Sequence, residues 1–191
     1  MEELETRQER DPQPLRQSVL EWAEVVVGSV VAVTLLLTFL CRIITVDGSS
    51  MNPTYENGDR VLVTNLAGPV EQGDVVIVVN ALEEPIIKRV VATQGQVVDF
   101  DPALGEVTVD GEPLYGETFG ISNGITYLPD LPGEVLEFPQ TVPEGCVFVL
   151  GDNRQNSKDS RFAEVGMVDC RNILGKVVFD LFPLTKFGFA G

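Results

Sequence analysis

The chain has 191 residues, 44% hydrophobic and 22% charged, enough for one ordinary core with one appendage and too apolar for a disordered tail. With 29 acidic against 13 basic residues, the net charge of -16 repels phosphate backbones and argues against a nucleic-acid partner. There is no histidine, which excludes Ser-His-Asp triads, Cys-His proteases and His-ligated zinc. Cys41, Cys146 and Cys170 form no CxxC pair and supply too few thiolates for a zinc site, so no metal is expected and at most one disulfide.

Residues 1–21 read as a polar N-terminal arm, carrying Pro12 and Pro14 and expected to be disordered and cytoplasmic. An uncharged stretch follows from Val25 to Cys41, bracketed by Glu24 and Arg42 and extended by Trp22-Ala23 and Ile43-Ile44. Its central positions would make roughly 26 Å of helix, close to a hydrocarbon core once Trp22 and Arg42 sit at the interfaces. Residues 22–44 are therefore expected to be one transmembrane helix. A buried soluble helix and the apolar part of a cleaved signal peptide are the alternatives. The run is long for a signal peptide and no small-x-small pair closes it, which favours a retained signal-anchor. Arg7, Arg10 and Arg16 precede it, placing the N-terminus on the cytoplasmic side.

Beyond the span, residues 45–191 read as one extracytoplasmic domain. Apolar residues come in short β-rich runs at Arg60–Val63, Asp74–Val79, Pro85–Ala92, Val97–Phe100, Val107–Val109, Val147–Leu150 and Gly175–Phe179. Asp110-Gly111 and Asn123-Gly124 are hairpin-turn signals, and no helical period of useful length appears. The fold class is mainly β.

Three segments carry candidate chemistry. Val46-Asp47-Gly48-Ser49-Ser50-Met51-Asn52-Pro53 directly follows the span and by composition could be a linker. In Pro85–Ala92 alternation puts Ile86, Lys88 and Val90 on one face and Ile87, Arg89 and Val91 on the other, so one of the two cations should point inward. An edge-strand lysine is the bland explanation. Lys88 has the most apolar neighbours of the domain's lysines, and desolvation moves a lysine toward the neutral form that accepts protons. The third segment, Gly151–Arg161, alternates carboxylates, amides, hydroxyls and guanidiniums, which suits a hydrogen-bonded scaffold.

Together, GSSMNPTY, RVLV, GDVVIV, IIKRVVATQGQ and GDNRQNSKDSR, in that order behind one span, resemble the bacterial type I signal peptidases, especially the compact Gram-positive type. The resemblance implies a coiled β-sheet or β-barrel-like catalytic domain, of the kind shared with repressor autoproteases, behind one transmembrane helix. It places the nucleophile on Ser50, with Ser49 the near miss, and the general base on Lys88. The family's serine beside the lysine amine falls on Ser157, and its two structural ion pairs on Arg89 with Asp152 and Asp159 with Arg161. Where some relatives have a serine that helps hold the oxyanion, this chain has Gly48, so the Ser50 N–H would carry that role and Gly48→Ser should fold and stay active.

The resemblance further implies cofactor-free removal of signal peptides from secretory preproteins after Ala-x-Ala-like residues, at the plasma membrane, with Val46, Met51, Ile86 and Ile87 lining the substrate site. Phe182, Leu184, Phe187 and Phe189 form an apolar tail that either meets membrane lipid or packs in the core. Cys146 and Cys170 could pair in an oxidising compartment. The alternatives are a repressor-type autoprotease, disfavoured by the span and the acidity, and a catalytically inactive or non-enzymatic membrane-anchored relative.

Overall fold

The computed structural model describes residues 13–114 and 125–190. Residues 1–12 and the Asn123-Gly124 turn signal lie outside them. The chain divides between Phe39 and Leu40 into two compact units.

The first unit is helix α1 (Gln13–Leu40). Pro14 sits in its first turn, where a missing N–H leaves no bond unmade. Within it, Ser18–Leu35 averages a hydropathy of 1.7 with none of the window buried, so the helix is long and apolar enough to cross a membrane. Ser29 Oγ donates to Val25 O at 2.7 Å and Thr34 Oγ1 to Val30 O at 2.8 Å, so both hydroxyls are satisfied within the helix. The helix both starts and stops earlier than the expected 22–44. Hydropathy counts Ile43 and Ile44 with the span, but it cannot tell a β-branched strand from a helix. Cys41–Thr45 is strand β1, with Ile44 packed toward the core and Ile43 facing out.

The second unit has two antiparallel sheets. Its other strands are β2 (Arg60–Thr64), β3 (Val75–Val78), β4 (Ile86–Thr93), β5 (Val97–Asp101), β6 (Glu106–Val109), β7 (Glu112–Pro113), β8 (Gln140–Thr141), β9 (Cys146–Leu150), β10 (Val168–Asp169), β11 (Ile173–Phe182) and β12 (Gly188–Phe189). The larger sheet has the order β1-β2-β11-β3-β4-β9-β10, with β12 also on β11; the smaller has the order β7-β6-β5-β8. All seven strand runs read from the sequence are present. The short strands β7, β8, β10 and β12 were not legible, having too few residues for any period.

Strand β11 pairs with β3 through Ile173–Lys176 and with β2 through Lys176–Phe182, with register shifts after Ile173, Val177 and Asp180. Such bulges bend a strand and increase its twist. β3 is buried on both faces: Val75 and Ile77 join one apolar cluster, Val76 and Val78 another. This is why its sequence is a continuous apolar run rather than an alternation. The first of these clusters also holds Val46, Met51, Tyr55 and Ile87, anchoring the loop after β1 beside β4. Asp110 and Gly111, at φ 54° and 82°, make the expected tight turn between β6 and β7.

Candidate active site

After β1 the chain makes a closed loop. Val46 N–H donates to Asp59 O at 2.8 Å and Gly58 N–H to Val46 O at 2.9 Å, so residues 47–58 leave and return at one point. Met51 is fully buried, and Tyr55 N–H donates to Met51 O at 2.9 Å, winding Met51–Tyr55 into a turn. Burial of Met51 and Tyr55 thus fixes Ser50 at the loop surface facing β4.

Lys88 Nζ donates to Ser50 Oγ at 2.9 Å and to Ile87 O at 2.8 Å. Its residue is 2% exposed, and burial lowers the amine from 10.5 to about 8; the Asp159 and Asp152 carboxylates pull it back up and Arg161 pushes it down. Ser49 Oγ instead accepts from Asn156 Nδ2 at 2.8 Å. The Ser50 N–H takes no hydrogen-bond partner among the described residues.

Gly151–Arg161 forms a buried polar scaffold around this pair. Arg89 Nε and Nη2 donate to the two oxygens of Asp152 at 2.9 and 2.8 Å, and Thr54 Oγ1 donates to the same carboxylate at 2.6 Å. Arg161 grips Asp159 through Nε and Nη2, both at 2.8 Å, while the Gly151 N–H donates to Asp159 Oδ2 at 3.0 Å. Asn153 donates its N–H to Ser50 O at 2.9 Å and its Nδ2 to Ser49 O at 3.0 Å, so the scaffold holds the serine turn by its carbonyls. Unpaired, these buried charges would be strongly destabilising; paired and fully bonded, they are tolerated.

Several expectations are corrected. Both cations of β4 are buried, not one, because Arg89 carries its own carboxylate. Ser157 Oγ is buried without a hydrogen-bond partner among the described residues and so does not bond the Lys88 amine. Gly48 lies at φ +88°, where a side chain is strained although no atom crowds its Cβ, so Gly48→Ser is not the benign change expected. Its N–H donates to Asn57 Oδ1 at 2.9 Å. Cys146 and Cys170 are free thiols: the β9–β10 register sets Asp169, not Cys170, opposite Cys146. Phe182, Leu184, Phe187 and Phe189 are all exposed, which removes the core alternative.

Two clefts border Ser50 and its approach. One, of about 490 Å³, is lined by Ser50, Lys88, Lys158, Asp47, Gly48 and the Leu82–Ile87 stretch. The other, of about 300 Å³, adds Ile44, Val46, Ile77 and Leu174. Ile86 and Ile87 line both, Val46 the second, and Met51 neither, since its side chain is spent on the core. β9 pairs with β4 only from Arg89 onward, so Ile86–Lys88 leaves a strand edge open beside Ser50.

Sequence reasoning passed over Thr54, Asn153, Asn156 and Arg154. Arg154 is buried, donating to Gly151 O at 2.8 Å and Thr126 Oγ1 at 3.1 Å; burial lowers its guanidinium to about 10. Both asparagines and Arg154 lie within the dense polar run, which was the signal available for them.

The sequence pattern of the family described as signal peptidase, peptidase S26, matches residues 19–182. The chain is 32% identical over 181 residues to signal peptidase I S of Bacillus subtilis (strain 168), covering 90% of this chain and 93% of that protein. To signal peptidase IB of Staphylococcus aureus (strain COL) it is 30% identical over 183 residues, covering 91% and 94%. Among solved structures it is similar to a signal peptidase I from Enterococcus faecalis V583, at a TM-score of 0.43 and 25% identity over 58% of this chain and 97% of that one. The chain belongs to the S26 signal peptidase family, as a serine endopeptidase of the compact Gram-positive type.

Proposed function

We propose that the chain removes signal peptides from secretory preproteins with Ser50 as nucleophile and Lys88 as general base, cutting after small residues in an Ala-x-Ala-like pattern. The observation that carries this reading is the 2.9 Å contact between Ser50 Oγ and a buried Lys88 amine lowered to about 8. Once neutral, the amine accepts the Ser50 proton, and the alkoxide attacks the scissile carbonyl to give an acyl-enzyme. The protonated amine then passes its proton to the leaving amine. Water activated by the same lysine hydrolyses the ester. The Ser50 N–H, without another partner among the described residues, is available to the oxyanion. Arg89, Asp152, Asp159 and Arg161 hold β4 and the polar scaffold in register; Ser49 and Gly48 shape the turn.

The substrate binds as an extended strand along the open Ile86–Lys88 edge, where backbone bonds give affinity and the two clefts select side chains. Helix α1 is the single membrane anchor, N-terminus cytoplasmic and catalytic unit outside. It raises the local concentration of membrane-bound preprotein. The exposed face of Ile43, Phe182, Leu184, Phe187 and Phe189 rests on lipid. The test is cleavage of a preprotein, or of a peptide with Ala-x-Ala before the cut, by the parent chain, Ser50→Ala and Ser49→Ala. The parent and Ser49→Ala should cleave within a few-fold of each other and Ser50→Ala should not. Retained activity in folded Ser50→Ala sinks the assignment.

A further inference from the structure

The C-terminal residues 183–190 have no part in the chemistry described so far, yet they are tied to the loop that carries the nucleophile. The segment is pinned to β11 on one side: the Phe187 and Phe189 rings pack edge-on against Phe179 at 4.9 and 5.2 Å, and Ala190 N–H donates to Val178 O at 3.2 Å. Ala190 also packs against the apolar cluster that buries Met51 and Tyr55. Between these anchors Lys186 closes a turn, its N–H donating to Pro183 O at 2.9 Å, and its side chain reaches the serine loop.

There Lys186 Nζ donates to Thr54 O at 3.1 Å and to Asp59 Oδ2 at 2.9 Å. Both acceptors belong to the loop that presents Ser50. Asp59 closes the loop, its carbonyl accepting from Val46 and its carboxylate from the Glu56 N–H at 3.0 Å. Thr54 ends the turn that Ser50 begins, and its hydroxyl meets the Asp152 carboxylate that holds Arg89, the neighbour of Lys88. The amine therefore bridges the far end of the nucleophile turn to the loop's closure. Asn153 holds the near end through the Ser49 and Ser50 carbonyls. A lone surface ion pair contributes little to stability, but a cross-link that fixes a turn affects where its hydroxyl sits. Sub-ångström placement of a nucleophile is what proximity catalysis depends on.

We propose that Lys186 is a positioning residue for Ser50: the C-terminal segment acts as a strap whose amine clamps Thr54 and Asp59 and so holds the serine turn against Lys88. This rests on the peptidase reading above. Because the clamp touches neither cleft, it should act on the chemical step and leave substrate binding alone.

The experiment measures kcat and KM for the full chain in detergent micelles, with a peptide carrying Ala-x-Ala before the cut. The set is the parent, Lys186→Met, Lys186→Arg, Asp59→Asn and the double variant Lys186→Met/Asp59→Asn, with Ser50→Ala as baseline. Lys186→Met is expected to lose about tenfold or more in kcat with KM within about twofold, on the scale by which misplacement slows catalysis. Lys186→Arg should restore most of the loss, since a guanidinium can still bridge a carbonyl and a carboxylate. The double variant should lose no more than Lys186→Met alone, because both changes open one clamp.

A folded Lys186→Met with kcat within twofold of the parent overturns the proposal, and so does a loss that Lys186→Arg fails to recover or one that appears only in KM. If Lys186→Met does not fold by circular dichroism, Asp59→Asn decides alone: a kcat loss at unchanged KM supports the clamp, and parental kcat removes it. A parent no faster than Ser50→Ala overturns the peptidase reading itself, and the strap with it.

Discussion

Lys88 and Arg89 are neighbours on β4 and equally withdrawn from water, at 2% and 1% exposure, but only Arg89 is met by a carboxylate. Asp152 sits on the guanidinium in two hydrogen bonds, whereas the nearest polar atoms to the Lys88 amine are a hydroxyl and a carbonyl. Burial therefore dominates at Lys88, the Asp159 and Asp152 charges offsetting it only in part, and the amine falls to about 8. In the proposed mechanism activity needs the neutral amine, so kcat/KM should rise tenfold per pH unit on the acid side and level off above about 8. Lys88→Arg keeps the charge but cannot lose its proton, and it should fall by at least about 10²-fold, the usual scale for losing a general base. A pH–rate profile flat between pH 6 and 9, or a folded and active Lys88→Arg, contradicts the assignment.

The same shift has a consequence for stability. In the unfolded chain Lys88 titrates near 10.5 and in the folded chain near 8, so the folded state binds this proton more weakly. Below about pH 8 both states are protonated and folding carries the whole penalty, on the order of 3 kcal/mol for that interval. The penalty fades as pH rises from about 8 and is gone above 10.5. Lys88→Met, inactive by the argument above, should unfold at higher urea than the parent at pH 6.5, with the two midpoints converging near pH 11. Equal midpoints at pH 6.5 would show that the amine is hydrated in the folded protein.

Asp152 anchors Arg89 in a buried pair and also accepts from the half-buried Thr54 hydroxyl. Asp152→Asn keeps the shape but strands the guanidinium, and breaking one partner of a buried pair costs about 3–5 kcal/mol. Urea unfolding should show the loss. Asp169→Asn is the control: its partner Arg171 is 89% exposed at the side chain, so the midpoint should stay in place.

Gly151 stands where the polar scaffold passes against Ser50. A Cβ there would lie 2.5 Å from Ser50 O and would also overlap the Ser157 hydroxyl, and the backbone oxygen cannot swing aside. Gly151→Ala must displace Ser50 or the scaffold, and a fall in kcat of about tenfold or more is expected on the scale of misplaced nucleophiles. Gly58→Ala, whose Cβ meets nothing within 4 Å, should lose stability from its φ of +93° yet keep kcat. Steady-state kinetics on both variants separates crowding at the site from backbone strain.

Local pattern alone was enough for the β class, the seven main strands and the apolar helix, because each rests on periodicity or a continuous apolar run within a few residues. The absence of histidine said that any nucleophilic chemistry needs another base, and the dense polar run from Gly151 to Arg161 suited a hydrogen-bonded support, while the placing of that base on Lys88 came from the family resemblance. Sequence could not place the end of the helix, since Ile43 and Ile44 are apolar in either conformation and only pairing with β2 makes them a strand. Nor could it say that both cations of β4 are buried and only one of them is met by a carboxylate. The answer depended on Asp152, 63 residues from Arg89, arriving to neutralise one guanidinium and leaving Lys88 without a carboxylate.

The contacts that decide reactivity are likewise long-range. Ser50 and Lys88 are 38 residues apart and Ser49 and Asn156 107, and nothing in the composition of either segment specifies which of two adjacent serine hydroxyls meets the amine. Burial of Met51 and Tyr55 in the core orients the turn so that Ser50 faces β4 and Ser49 faces the asparagines. Residue types and their order are local properties, legible one segment at a time. Desolvation and the partnering of charges exist only once distant segments exclude water from one another, and those two effects decide here which amine is buried without a contacting carboxylate and which hydroxyl it meets.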